Sequence, residues 1–296
     1  MTALDVPSGQ PATIDTPAPE DNRLARLSLN QKTTDTWSVP EAIAGCQRAG
    51  LPSIGLWREP IAEFGLDATV ELVTKAGLRV SSLCRGRFLT ALPGPERDAA
   101  LADNRRAIDE TAALQADCLV LVVGGMPTGS VDLAAARSLV VDALDELVPY
   151  AQQQGVKLAL EPLHPMYCAD RAVLSTLGLS LDWAERYPVD TVGVVVDTFH
   201  LWWDPDITGL IARAGERIAS YQVCDWITPM PADPLLARGM MGDGHIDFGM
   251  FTRAVDAAGY RGDIEVEIFN ADVWAADPDE VVATMARRYL QHVLVD

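Results

Sequence analysis

The segment VGVVVDTFH at residues 192–200 contains four valines and a glycine, followed at once by a carboxylate and then by a histidine. Valine-rich runs of this kind are typical of parallel strands that are buried on both faces. Since the strand would end at Asp197, it predicts a polar site at its carboxyl end, with His200 one turn further along. Seven other apolar segments of strand length lie at 24–29, 52–57, 78–84, 118–123, 156–161, 218–225 and 263–269.

Segments with helical spacing and helical end signals lie between these strands. Ser38 followed by Glu41 predicts a capping box at one helix start, and Gly50 and Gly77 predict helix ends. Eight strands alternating with eight helices predict an α/β fold of the (β/α)8 TIM barrel type. We expect this barrel to form a single catalytic domain over residues 23–296.

A doubly wound open sheet is the alternative fold for such an alternation. It usually binds a nucleotide through a glycine-rich turn after its first strand. This chain has NQKTTDTW after the first strand, and its GGMPTG segment comes only after the fourth. The barrel is therefore favoured, and we expect no nucleotide cofactor.

Composition limits the classes of partner. The 296 residues carry a formal charge of −19, from 42 acidic residues against 23 Lys plus Arg. This charge repels phosphate backbones and anionic lipids, so neither nucleic acid nor a membrane is an expected partner. Residues 1–22 lack a basic start and an apolar run, so they do not resemble a secretory signal and instead predict a disordered tail. The five scattered cysteines favour reduced thiols and a cytoplasmic location.

Acidic residues end several of the predicted strands. Glu161 ends LALE, and alternation along IEVEIF places Glu265 and Glu267 on the face that points toward the barrel axis. Unpaired carboxylates are costly to bury, so Glu161, Asp197 and Glu267 predict a shared cation. Oxygen ligands suit hard divalent ions such as Mn²⁺, Mg²⁺ or Co²⁺. Each acid alone could be a helix cap or a loop residue, and Glu265 is a candidate partner for an arginine.

Five motifs carry a resemblance that covers residues 24–292. They are EPLHP (161–165), VVDTFH (195–200), QVCDW (222–226), RGMMGDGHIDFGMF (238–251) and EVEIF (265–269). Together they resemble the xylose isomerase-like TIM barrel superfamily, often labelled sugar phosphate isomerase/epimerase. The resemblance implies one divalent metal, most often Mn²⁺, held by Glu161, Asp197, Gln222 and Glu267.

Gln222 departs from the pattern, because many relatives carry histidine at that position. A glutamine carbonyl oxygen can also bind a hard ion. The alternative is a buried amide that hydrogen-bonds across the barrel.

The resemblance also implies a chemistry, which is the abstraction of a proton next to a carbonyl of a sugar or keto-sugar. The metal would stabilise the enediolate, and Glu161 and Glu267 would act as acid and base. His200 and Arg238 would bind substrate oxygens. His164 is a candidate further acid or base because imidazole titrates near neutral pH; the alternative is a structural histidine.

Tryptophans crowd the same predicted strand ends. Trp57, Trp202 and Trp226 are candidates for stacking on a sugar ring, and packing of the loops is the alternative explanation for each of them.

Three functions remain open at this level. A sugar isomerase or epimerase is favoured. LSLNQKTTDTW, GLWREP and RVSSLCRGRF also resemble the catalytic subunits of C-glycoside deglycosidases, lyases that eliminate an aglycone from a 3-keto-C-glycoside after the same first step. The third alternative is a sugar-binding barrel without catalytic activity. We expect a homo-oligomer, or a hetero-oligomer with a small β-rich subunit.

Overall fold

A closed barrel of eight parallel strands is the centre of the computed structural model, which describes residues 15–294. The strands of the described part are β1 (Leu27–Asn30), β2 (Ser53–Trp57), β3 (Arg79–Cys84), β4 (Leu119–Leu121), β5 (Leu158–Leu160), β6 (Val192–Asp197), β7 (Ile218–Val223), β8 (Asp225–Trp226), β9 (Arg238–Gly239) and β10 (Ile264–Val266). The barrel order is β1-β10-β7-β6-β5-β4-β3-β2, while β8 and β9 pair separately as an antiparallel ribbon. The predicted barrel is thus confirmed, and the open sheet is excluded.

Helices surround the barrel and connect its strands. They are α1 (Val39–Ala49), α2 (Arg58–Phe64), α3 (Leu66–Ala76), α4 (Pro95–Leu114), α5 (Leu133–Gln154), α6 (Leu177–Ala184), α7 (Thr198–Leu201), α8 (Ile207–Ala214), α9 (Phe248–Ala257), α10 (Ala271–Ala275) and α11 (Pro278–Arg288). Eight of these are the expected outer helices. The short α2, α7 and α10 were not predicted; they lie in the connections that follow β2, β6 and β10, on the side where the strands end.

The predicted helix signals act as expected. The Ser38 N–H donates to Glu41 Oε2 over 2.8 Å at the start of α1. Gly50 and Gly77 follow α1 and α3 with φ of 68° and 71°, in the left-handed region that glycine adopts without steric cost.

The opening valine segment is buried on both faces, as its composition predicts. Val192, Val194 and Val196 belong to the main core between barrel and helices. Val195 points the other way and packs inside the barrel against small side chains, namely Cys84, Cys118, Val120, Ala159 and Ala219. Since side chains alternate along a strand, Asp197 continues the inward row and is 1% exposed.

The amino-terminal segment is described only in part. Residues 1–14 of the predicted tail lie outside the described residues. Over 15–22 the chain touches the barrel domain, where Thr16 Oγ1 accepts a hydrogen bond of 2.6 Å from Arg287 Nη1. The predicted disorder of 1–22 and the domain limits of 23–296 stay predictions. Between residues 15 and 294, the helices are too short or too polar to cross a bilayer.

Gly55 on β2 leaves room for a buried carboxylate inside the barrel. A methyl group at this position would come within 2.6 Å of the carboxyl group of Glu265. We therefore expect Gly55→Ala to lower the free energy of unfolding by about 1–3 kcal/mol in urea titrations.

Gly209→Ala is the matched control for this substitution. Gly209 lies in α8 with open space around it, so the same change there should raise stability by up to about 1 kcal/mol. Equal stability of Gly55→Ala and the parent protein would contradict the close contact inside the barrel.

Candidate active site

Strand register gathers the predicted polar residues at one end of the barrel. Asp197 on β6 is in register with Gln222 on β7, and Gln222 is in register with Glu265 on β10. Glu161 directly follows β5, and Glu267 directly follows β10. All five side chains are buried, with at most 5% of each residue exposed. Residues that lie far apart in the sequence therefore meet in one small volume.

Two buried oxygens in this group have no hydrogen-bond partner among residues 15–294. Asp197 accepts a 2.7 Å hydrogen bond from the Phe199 N–H through Oδ1, while its Oδ2 has none. Gln222 donates through Nε2 to Glu265 Oε1 over 3.4 Å, and its own Oε1 has none. Buried acceptors are rarely left unpaired in proteins, and two free oxygens beside further carboxylates are a donor set that a hard cation fits.

Glu161, Asp197 and His200 also offer ligand atoms within 4.8 Å of one another, a spacing that could hold a metal ion. Burial raises the pKa of Asp197 to about 6. Burial also raises the pKa of Glu161 well above its ordinary value, and the neighbouring Glu267 and Asp197 carboxylates add to this effect. The site thus disfavours the ionised carboxylates unless positive charge is supplied.

Arg238 supplies part of that charge. Its Nη1 lies 2.6 Å from Glu267 Oε2 and 3.5 Å from Asp197 Oδ2. The guanidinium is held between Phe199 and Phe269, with its carbon 4.9 Å from each ring centroid. Sequence reasoning assigned Arg238 to substrate binding; the structure also makes it an ion-pair partner of Glu267.

His200 lies in the cluster, but its hydrogen bonds set its chemistry. The His164 backbone N–H donates to His200 Nδ1 over 3.0 Å. Burial lowers the pKa of His200 well below its ordinary value, and the charge of Arg238 acts in the same direction, so both disfavour the protonated ring. A neutral ring that accepts at Nδ1 carries its hydrogen on Nε2. That nitrogen is therefore a donor and has no lone pair for a metal.

The Nε2 hydrogen of His200 has no close acceptor among the described residues. The nearest carboxylate oxygens, Asp197 Oδ2 and Glu161 Oε1, are 3.8 and 4.0 Å away. Arg238 Nη2 is 3.1 Å away, but it is itself a donor. The geometry fits a hydrogen bond to an oxygen of a bound molecule.

Glu265 lies deeper than the other acids and has no arginine partner in the described part of the chain, so the interpretation as an arginine partner is wrong. Asn30 Nδ2 donates to it over 2.6 Å, and the hydroxyl groups of Ser81 and Ser82 donate over 2.6 and 2.8 Å. Asn30 also donates to Glu267 Oε1 over 3.1 Å. The pattern of the sequence did not point to these polar residues, which form the floor of the site.

A cavity of about 260 Å³ opens above this floor. Of the predicted site residues, it is lined by Glu161, Glu267, His200, Arg238 and Trp57. The sequence alone did not assign the other residues of the cavity wall to the site. They include Lys32, Arg85, Phe88, Leu163, Tyr167, Arg171 and Phe269. Phe269 could have been found, because it continues the inward row of Glu265 and Glu267, whereas Tyr167 and Arg171 lie in a long connection without periodic pattern.

Three predicted site residues line a different region. The His164 ring packs against Trp203 and Trp226, with centroid distances of 5.7 and 5.0 Å, and His164 Nδ1 accepts from the Met166 N–H. Trp202 also packs on Trp226. None of His164, Trp202 and Trp226 is among the residues that line the cavity. Their catalytic and stacking roles stay predictions, and the structure brings only Trp57 of the three tryptophans to the cavity wall.

Asp225 holds the loop that follows Arg238. Its Oδ2 accepts from the N–H groups of Gly242 and Gly244, and its Oδ1 accepts from those of His245 and Ile246, all within 3.1 Å. Asp225 thus contacts backbone donors and lies apart from the carboxylate cluster. The β8–β9 ribbon and this loop fix the backbone from which Arg238 reaches into the site.

Comparison with known proteins identifies the family. A profile of the xylose isomerase-like TIM barrel family matches residues 43–292, so the chain belongs to this family. Protein SMc04130 from Sinorhizobium meliloti 1021 is 46% identical, with a TM-score of 0.87 over 90% of this chain and 98% of that one. The IOLI protein, solved with a bound zinc atom, shares the fold at 21% identity and a TM-score of 0.78, over 90% of this chain and 98% of that one.

Curated relatives are enzymes. The 3-dehydroshikimate dehydratase of Pseudomonas aeruginosa is 29% identical over 59% of this chain, which spans only 27% of that longer protein. The L-ribulose 3-epimerase of Mesorhizobium japonicum is 26% identical over 84% of this chain and 83% of its own length. The homologues are thus epimerases, isomerases and dehydratases on the same fold.

The buried Glu265 yields a prediction about pH. Burial raises its pKa from the ordinary 4.5 to about 7. The folded protein holds this proton more tightly than the unfolded chain, so its contribution to stability is full below pH 4.5 and is lost as pH rises through 7. In metal-free protein kept in EDTA, titration of Glu265 should lower the free energy of unfolding of the parent by on the order of 3 kcal/mol between pH 5 and 9. The Glu265→Gln variant should lack this contribution.

The measurement is urea unfolding across that pH range for both proteins. Glu63→Gln, an identical change at an exposed position of α2, should leave the pH profile unchanged. If the stability of Glu265→Gln and of the parent protein changed with pH in the same way, the raised pKa of Glu265 would be contradicted.

Proposed function

We propose that this protein is a divalent-metal-dependent enzyme that removes a proton next to the carbonyl group of a small sugar or keto-sugar, as an isomerase or epimerase. One observation carries the proposal. Glu161, Asp197, Glu265 and Glu267 are buried together, and within residues 15–294 Arg238 is the single arginine or lysine that pairs with any of them.

A metal ion fits the residues that are present. The orphaned oxygens of Asp197 and Gln222 support a ligand set of Glu161, Asp197, Gln222 and Glu267, with His200 excluded by its donor hydrogen. When bound, a divalent ion would supply Lewis acidity, polarising a substrate carbonyl and stabilising negative charge on its oxygen. A hard ion such as Mn²⁺ suits four oxygen ligands, and a fold neighbour carries zinc.

The protein residues divide the remaining work. Glu161 accepts no hydrogen bond through its carboxylate from the described residues and faces the cavity, so it is free to accept a substrate proton. Glu267 is held by Asn30 and Arg238, so its orientation is set before substrate enters. We propose that these two glutamates act as the base and the acid, and that His200 donates through Nε2 to a substrate oxygen.

Cavity size favours a small substrate. Pockets for drug-sized ligands usually measure about 300–1,000 Å³, and this one measures about 260 Å³. The volume suits a single sugar or cyclic polyol and is too small to enclose a glycoside with a polycyclic aglycone. We therefore favour an isomerase or epimerase over the C-glycoside lyase; the β-rich partner subunit stays a prediction.

Metal content tests the first half of the proposal. Purified protein loaded with Mn²⁺ and desalted should retain about one ion per chain by elemental analysis. Asp197→Ala should weaken Mn²⁺ binding by more than the 10–100-fold typical of residues that only support a ligand. Asp206→Ala, at an exposed position before α8, should bind like the parent. Retention of tight binding by Asp197→Ala would refute the ligand set.

Hydrogen exchange tests the chemistry. The Mn²⁺-loaded protein should incorporate deuterium next to the carbonyl of L-ribulose, an inosose or 3-dehydroshikimate in D₂O, as followed by NMR. Glu267→Gln should slow this exchange by about 10²–10⁴-fold, because a positioned acid or base contributes that much. Glu71→Gln, on the exposed side of α3, is the matched control. Exchange at the parent rate in Glu267→Gln would overturn the assigned role.

A further inference from the structure

We propose that the cavity contains a second site, formed by Arg85 and Arg171, that binds a compact oxyanion of the substrate, a carboxylate or a phosphate. This inference rests on the function proposed for the carboxylate cluster of the same cavity. It adds a substrate class, namely a small keto-sugar or cyclic ketone with an anionic group remote from the carbonyl that reacts.

Arg85 lines the cavity without an acidic partner. Among the described residues it forms no ion pair within 4 Å, and the hydrogen bond of its guanidinium is a long one, 3.3 Å from Nη1 to the Gly86 carbonyl. The guanidinium carbon lies 4.5 Å from the ring centroid of Phe88, another residue of the cavity wall. Stacking on a ring leaves the edge of the guanidinium, with its N–H donors, directed away from the ring.

Arg171 lines the same cavity and likewise lacks a close acidic partner among the described residues. Its Nε is buried and has no hydrogen-bond partner. The nearest carboxylate is that of the adjacent Asp170, at 3.7 Å, and 65% of the Asp170 side chain is exposed. The Arg171 guanidinium carbon lies 5.7 Å from the ring centroid of Tyr167, which also lines the cavity. An unpaired buried donor of this kind calls for an acceptor.

The lack of partners is notable because the chain has a large excess of acids, 42 against 23 basic residues. Two other basic side chains of this region are paired. Arg58 binds both Asp103 and Glu110, at 2.8 and 2.5 Å, and Lys32 on the cavity wall binds Asp35 at 2.7 Å. Arg85 has no such pair among the described residues, and the one ion pair of Arg171 is the 3.7 Å contact with the largely exposed Asp170.

Mutual repulsion supports the same conclusion. Burial lowers the pKa of Arg85, and the nearby charge of Arg171 lowers it further, while Glu59 and Glu161 partly offset this effect. Two guanidinium groups that line one cavity and repel each other are stabilised when an anion binds near both of them. Arginine is suited to this, since its planar fork matches carboxylate and phosphate oxygens.

Three ketoses that differ at C6 test the proposal. D-fructose carries a neutral hydroxymethyl group there, D-fructuronate a carboxylate and D-fructose 6-phosphate a phosphate. Calorimetric titration of the full-length protein, metal-free and with Mn²⁺, should show one or both charged probes binding about 10–100-fold more tightly than fructose, the range for charge-assisted hydrogen bonds. The better of the two identifies carboxylate or phosphate as the group that is recognised.

Variants separate the site from the general charge of the protein. The Arg171 side chain is 37% exposed, so we expect Arg171→Gln to fold. This variant should reduce the preference for the charged probe over fructose about tenfold. The double variant Arg85→Gln with Arg171→Gln should abolish it. Arg87→Gln is the matched control, because Arg87 is exposed and lies outside this cavity, two positions from Arg85. It removes the same charge and should leave the preference for the charged probe unchanged.

Two sets of results would overturn the inference. One is equal affinity for fructose and both charged probes, or no measurable binding of either charged probe at millimolar concentration. The other is a charge preference that survives in the double variant. Failure of the proposed function looks different: there, Mn²⁺ would not be retained and no deuterium would exchange, while Asp197→Ala and the parent protein would both still prefer the charged probe through the two arginines.

Discussion

Buried like charge is the constraint on which the rest of this site depends. The barrel encloses the carboxyl groups of Glu161, Asp197, Glu265 and Glu267 and offers them one guanidinium, that of Arg238. Such an arrangement is costly in a medium of low dielectric constant. Proton uptake, hydrogen bonds from the barrel floor and a bound cation are the three ways in which the cost can be reduced, and the residues around the cluster provide for each.

Rigid elements hold this charge in place. Side chains on neighbouring strands keep their spacing because the strands are hydrogen-bonded into a closed barrel, and Arg238 stands on a short ribbon fixed through Asp225. A preorganised site of this kind does not need to rearrange when charge develops on a substrate. The acids can therefore be close to one another without the backbone relaxing to separate them.

The two ends of the cavity serve different purposes in our proposals. In our proposal the first step takes place at the carboxylates, while the relatives of this chain include a dehydratase and an epimerase, and one fold can support different reactions. In our second proposal, the choice of substrate depends on Arg85 and Arg171 of the same cavity, which lie on long connections. Loops that follow barrel strands vary between relatives of this fold class, and their variation changes specificity without changing the chemistry.

The sequence by itself determined the barrel and the inward acids. The eight strands could be predicted because buried parallel strands are continuous apolar runs, and Asp197, Glu161 and Glu267 could be placed because side chains alternate with a period of two. Only the tertiary structure decided which other groups the site side chains contact. That His200 is a donor depends on a backbone N–H from another strand end. That Arg171 Nε has no hydrogen-bond partner among the described residues depends on how an irregular loop folds over the cavity. Neither feature has a local pattern in the sequence.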